Sequence, residues 1–156
     1  MTLLIFYLLL AVLVSFFCSV AEAVLLSVRP SYIASLEPKG SARVKKLTRL
    51  RSNLDRPLAA ILTANTIAHT VGAAGVGAQA AVVFGNQYIG LTSAILTLLI
   101  LVFSEIIPKT LGALYWRQLA LPFAVLIDGL TKILLPFVWL SEKLTRLLSR
   151  SSAGVN

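Results

Sequence analysis

Apolar residues fill three long runs of this chain, and charged residues are gathered between and after them. Residues 2–21 carry no charged side chain, and the apolar character continues to Val28, broken by Glu22. About 20 residues at helical rise cross a 30 Å hydrocarbon core, so a first span is expected over residues 3–26. Residues 57–104 are 48 positions without Asp, Glu, Lys or Arg, too long for one crossing and right for two. Gly85-Asn86-Gln87 divides them, and Gly and Asn tolerate tight reversals. The second span is expected over residues 58–84 and the third over 89–107. Pro57 suits a first helical turn, where its missing N–H is not needed. Pro108 should end or kink the third span.

The connections have their own pattern. Residues 29–56 hold eight basic side chains against Glu37 and Asp55. Pro30, Pro38 and Gly40 should break this segment early. After them Val44, Leu47, Leu50 and Leu54 recur every three or four positions, which predicts an amphipathic helix over residues 42–54, on the cytoplasmic surface near anionic lipid. Tyr115, Trp116 and Arg117 read as an interfacial belt. Residues 121–140 are long enough to span yet contain Asp128, Gly129, Lys132 and Pro136. With three crossings the basic flanks 29–56, 109–117 and the tail share one side. That bias predicts an external N-terminus, a cytoplasmic C-terminus, and juxtamembrane helices over residues 111–148 that lie in the interface or re-enter. The small polar residues 149–156 read as the start of a linker, so residues 1–148 form the membrane domain.

Composition agrees. Of 156 residues, 58% are hydrophobic and 13% charged, far from a soluble domain. The formal net charge of +8 is explained by topology, so no nucleic-acid partner is expected. A signal peptide is the rival reading of the first run, since Ala21-Glu22-Ala23 has a cleavage-site form. The run is too long for one and lacks a basic leader. The single Cys18 forms no internal disulfide. The expected class is therefore an all-α membrane protein of three spans with amphipathic or re-entrant juxtamembrane helices, multi-pass in the cell membrane.

Polar groups inside the runs are the candidate chemistry. Glu22 and Glu105 sit near the expected cytoplasmic ends of the first and third spans, where each has an ion pair with Arg29 or Lys109 as its plainer role. Asn65 lies about 10 Å inside the second span at helical rise, with Thr63, Thr66, His69 and Thr70 around it. Ser19 is three residues before Glu22, on the same helix face. Because the spans alternate in direction, Ser19, Asn65 and Glu105 fall in the same inner half of the membrane. A hydroxyl, an amide carbonyl and one or two carboxylates are an oxygen-only set, suited to hard cations such as Mg²⁺, Ca²⁺ or Na⁺. Pro108 beside Ser104-Glu105 would free backbone carbonyls to complete the shell. Plainer roles are a hydroxyl bonding back to its own helix for Ser19 and Thr63 and an interhelical bond for Asn65. His69 reads as a packed, hydrogen-bonded residue. Ala73, Gly77 and Ala81, with Ala74 and Ala78, form small faces suited to packing within a protomer or to a dimer seam.

At these residues the chain resembles the CorC/cyclin-M (CNNM) magnesium transporters. Phe16-Phe17-Cys18-Ser19-Val20-Ala21-Glu22-Ala23, Leu62-Thr63-Ala64-Asn65-Thr66 and Ser104-Glu105-Ile106-Ile107-Pro108-Lys109-Thr110 look like that family's three span motifs, in order and spacing. The resemblance implies a homodimer with three spans per protomer and a cytoplasm-facing Mg²⁺ site. It implies outward Mg²⁺ transport coupled to Na⁺. By motif position Ser19, Asn65 and Glu105 would be ligands, assisted by backbone carbonyls near Ala64 and Ser104, with Pro108 and Lys109 shaping the inner end. Ala64 and Ser104 stand where the family often has Gly. The resemblance implies cytoplasmic CBS domains that bind adenine nucleotide in the full-length protein; they are absent from these 156 residues, so nucleotide regulation is not carried over. An enzyme is not expected, since no nucleophile–base pair is visible at these depths. A membrane anchor or partner subunit, and a proton- or sodium-coupled carrier of another solute, are the rival functions.

Overall fold

The computed structural model describes residues 1–152, and their side chains except those of residues 39, 145 and 147–152. The described residues are almost wholly helical and contain no strand.

Helix α1 covers Thr2–Ser27 and α4 covers Asp55–Phe84. Gly85, at φ +88°, and a short 3₁₀ turn over Asn86–Tyr88 reverse the chain into α5, Ile89–Leu99. A π-helical segment, Ile100–Ile106, leads on into α6, Ile107–Leu114. Three helices, Thr2–Ser27, Asp55–Phe84 and the continuous Asn86–Leu114, are long and apolar enough to cross a membrane. Their outward faces carry Leu9, Leu13, Phe17, Val71, Leu91, Leu98 and Phe103 exposed. An apolar surface of that extent has lipid, not water, as its natural solvent.

Two expectations about breaks are corrected. The third span does not end at Pro108. The helix absorbs the proline by widening upstream, where the N–H of Ile107 bonds back five residues to Val102, and it runs on to Leu114. Helical geometry therefore extends into residues 111–114, the start of the expected juxtamembrane region. Pro30 starts a helix instead of breaking one. It sits at the first position of α2, Pro30–Leu36, where proline costs no hydrogen bond.

The amphipathic helix is α3, Ala42–Ser52, capped by Ser41 Oγ accepting from the N–H of Val44. Its apolar face does not meet lipid: Val44, Leu47 and Leu50 are buried, and Leu47 and Leu50 belong to a core shared with the inner half of α1 and with α7, Trp116–Ile133. Burial of Leu47 is worth roughly 1.5–3 kcal/mol on the aqueous scale. Asp128 of α7, 4% exposed, fixes the contact by pairing with Lys46, Arg49 and Lys132. Helix α7 turns at Leu134 into α8, Leu135–Ser152, and the two together make a 78° bend. Of the expected linker, residues 149–152 continue α8; residues 153–156 lie outside the described residues.

Candidate polar site within the helices

The inner half of α1 is the frame of the site. It lies against α4 on one side and α6 on the other, and both contacts need glycine. At Gly72 a Cβ would stand 2.2 Å from the Ala11 methyl, and at Gly112 it would stand 2.8 Å from the Val20 carbonyl oxygen. Backbones approach closely at such positions, which lets short polar side chains meet.

Ser19 is fully buried and does not bond back to its own helix. Its hydroxyl donates across to the Ser104 carbonyl oxygen at 2.5 Å. The reason lies in the sequence. In an α-helix the carbonyl of Ser104 would accept from the N–H of residue 108, and proline has none. Pro108 thus withholds the α-helical donor from this carbonyl, and Ser19 donates to it from the first span.

One residue on, Glu105 gathers the other helices. Its Oε1 accepts from Asn65 Nδ2 at 3.1 Å, and its Oε2 lies 3.0 Å from Lys109 Nζ. Lys109 also reaches Glu22 Oε2 at 3.2 Å. Two carboxylates share one ammonium, so the cluster keeps a formal charge of −1. Ser19, Asn65 and Glu105 are thus brought together: one bonds to residue 104, another to residue 105.

Ser15 was not foreseen as a member. It is fully buried, its hydroxyl donates to Asn65 Oδ1 at 2.7 Å, and its Oγ lies 2.5 Å from His69 Nε2. The signal available was spacing: Ser15 is four residues before Ser19, and His69 four after Asn65, so each shares a helix face with a candidate. Ser15 and His69 also contradict the expectation that no nucleophile–base pair exists. The serine hydroxyl donates to Asn65. The nearby carboxylate faces the same ring nitrogen, 3.8 Å from Nε2, not the opposite one.

Two further candidates make other contacts. Thr63 Oγ1 donates to the carbonyl of Ala59 in its own helix. Ala64 lines an apolar groove with Val14, Phe17 and Leu130. Among the described residues no three His, Cys, Asp or Glu side chains group as a metal site, and no buried side-chain polar atom lacks a partner. The cluster is an oxygen-rich network of serines, an amide, carboxylates and one carbonyl.

Of the small residues expected to form faces on α4, Ala73, Ala74 and Ala78 are exposed and Gly77 and Ala81 half-buried, while the face packed inside the protomer is Gly72, Val76 and Ala80.

Comparison with known proteins follows the same lines. The family model described as the cyclin M (CNNM) transmembrane N-terminal domain matches residues 4–154. The UPF0053 protein sll1254 of Synechocystis is 41% identical over 128 residues, 82% of this chain and 37% of that protein. The UPF0053 inner membrane protein YfjD of Escherichia coli is 28% identical over 137 residues, 88% of this chain and 32% of that protein. A UPF0053 protein of Haemophilus influenzae is 28% identical over 141 residues, 90% of this chain and 34% of that protein. The chain spans about a third of the length of these curated relatives.

Proposed function

The chain belongs to the CNNM family of membrane proteins, and from that premise we propose that it binds Mg²⁺ between α1, α4 and the π-helical segment and carries it across the membrane. The observation that carries this reading is the convergence of Ser19 and Asn65, from separate spans, on residues 104 and 105 of a third. Glu105 supplies charge to the ion. Ser19, the Asn65 amide oxygen and the Ser104 carbonyl supply neutral oxygens, and water completes the six that Mg²⁺ demands. The Ala64 carbonyl is a further ligand by family likeness.

Lys109 gives the site a way to stay neutralised. It lies within reach of both Glu105 and Glu22. An arriving Mg²⁺ displaces the ammonium from Glu105, and Glu22 retains it. When the ion leaves, Lys109 returns. The π-helical turn is the movable element, since such turns occur frequently at functional positions; rocking of the spans then alternates access. The basic residues of α3, Arg56 at the start of α4 and Lys109 of α6 support a cytoplasm-facing site under the positive-inside rule. Outward transport driven by Na⁺ and assembly as a homodimer in the cell membrane complete the proposal. We read the chain as a carrier and not as an enzyme, because the buried Ser15 hydroxyl offers a substrate no approach.

The test is Mg²⁺ flux in proteoliposomes with an indicator dye, with and without an opposing Na⁺ gradient. Flux that needs the gradient and is lost in Glu105→Gln is expected. Na⁺ flux without Mg²⁺ flux would instead favour a carrier of another solute, and no flux of either would favour a membrane anchor.

A further inference from the structure

We infer that Ser15 and His69 are positioning residues that let the Asn65 amide turn over, so that it presents nitrogen to Glu105 without the ion and oxygen with it. This deepens the magnesium reading and rests on it. The hydrogen-bond inventory leads there. A serine hydroxyl has one proton, and Ser15 gives it to Asn65 Oδ1. The 2.5 Å contact between Ser15 Oγ and His69 Nε2 then requires His69 to donate, so its proton is on Nε2. Asn65 Nδ2 is left to donate to Glu105 Oε1 at 3.1 Å. Every proton in this arrangement has one place.

That arrangement is wrong for a cation. The amide atom beside Glu105 is a donor, and Mg²⁺ takes oxygen. A half-turn of the amide exchanges its nearly isosteric nitrogen and oxygen. Oδ1 then faces Glu105, which is unfavourable between two acceptors and favourable with a cation between them. Nδ2 now donates to Ser15 Oγ. The Ser15 proton must find a new acceptor, and the atom in reach is His69 Nε2. It accepts once the imidazole proton is on Nδ1. Water that enters with the hydrated ion takes the proton from Nε2 and returns one to Nδ1, and the total is unchanged. A hydroxyl and a neutral imidazole are the two side chains that can each reverse from donor to acceptor. A methyl or a fixed donor at either position would lock the amide in one sense.

The chain contains a single histidine, so its ring can be observed without ambiguity. The experiment is nitrogen NMR of the full chain with labelled histidine, in nanodiscs at about pH 8.5, roughly two units above the ordinary imidazole value, with Mg²⁺ added stepwise beside a calorimetric titration. The expected result is an Nε2–H ring without Mg²⁺ and an Nδ1–H ring at saturation, with no change in Asn65→Ala. Ser15→Ala is expected to bind Mg²⁺ about tenfold more weakly, the equivalent of one ordinary hydrogen bond, and Ser15→Thr to restore it. Saturable Mg²⁺ binding that needs Asn65 and Glu105, with an unchanged ring and a Ser15→Ala affinity like the parent's, overturns this inference and leaves the magnesium site standing. Absence of Mg²⁺ binding to the unmodified chain overturns both.

Discussion

The Ser19 hydroxyl donates to the one carbonyl, Ser104, that Pro108 leaves without its α-helical donor. A hydroxyl on the first span thus completes the backbone of the third. Ser19→Ala would remove this buried hydrogen bond, at a cost of about 1–3 kcal/mol, read as a lower midpoint of thermal unfolding in detergent. In a Pro108→Ala background residue 108 regains its N–H. The penalty of Ser19→Ala should then shrink, and equal penalties in both backgrounds would contradict the relationship.

Close approach of α1 and α6 depends on Gly112. A methyl there meets backbone, the Val20 carbonyl oxygen, at 2.8 Å, and backbone cannot step aside as a flexible side chain does. Gly112→Ala should cost about 1–3 kcal/mol through overpacking and weaken Mg²⁺ binding with it, since Ser19 lies on the helix pushed away. Gly77 has open space around its Cβ position. Gly77→Ala should be neutral or stabilising by up to about 1 kcal/mol from helix propensity. Thermal unfolding of the two variants side by side checks the contrast.

In the proposed site Lys109, 3.0 Å from Glu105, is a competitor of the ion. Removing a charge-assisted partner worth about 1.5–3 kcal/mol frees the carboxylate, so Lys109→Gln should bind Mg²⁺ roughly ten- to a hundredfold more tightly. Calorimetric titration measures this. Weaker binding in the variant would mean that the ammonium supports the site instead of rivalling the cation.

Asp128 holds α3 on α7 in a pH-dependent manner. Burial pushes its carboxyl up, but Lys132, Arg49 and Lys46 outweigh burial and hold it below the ordinary aspartate value. A folded value below the unfolded one, about 3.9, stabilises the fold fully above that pH and loses the contribution as pH falls through the folded value. Asp128→Asn should therefore be less stable than the parent at neutral pH, and the gap should close below about pH 4. Unfolding midpoints of both chains across that range test the sign.

The spans were legible because a run of about 20 uncharged residues has few other uses, and the level of Ser19, Asn65 and Glu105 followed from alternating direction alone. What sequence concealed is pairing at long range. Asp128 reads as an awkward charge in an apolar stretch until Arg49, on a helix far back in the chain, is brought beside it. Ser15 reads as a helix serine content with its own backbone, and only the closeness of α1 to α4 at Gly72 turns it toward Asn65. Pro108 announced a disturbance correctly, but not its form. Whether a helix ends, bends or widens depends on what can satisfy the freed carbonyl, and that donor lies 85 residues away.

The central claim is that three spans make one magnesium site at residues 104 and 105. The most direct measurement is calorimetric Mg²⁺ titration of the purified chain beside Asn65→Ala and Glu105→Gln. Saturable binding in the parent and its loss in both variants, with the helical fold retained, are expected. Parent binding that survives both substitutions, or no binding by a folded parent, would contradict that claim.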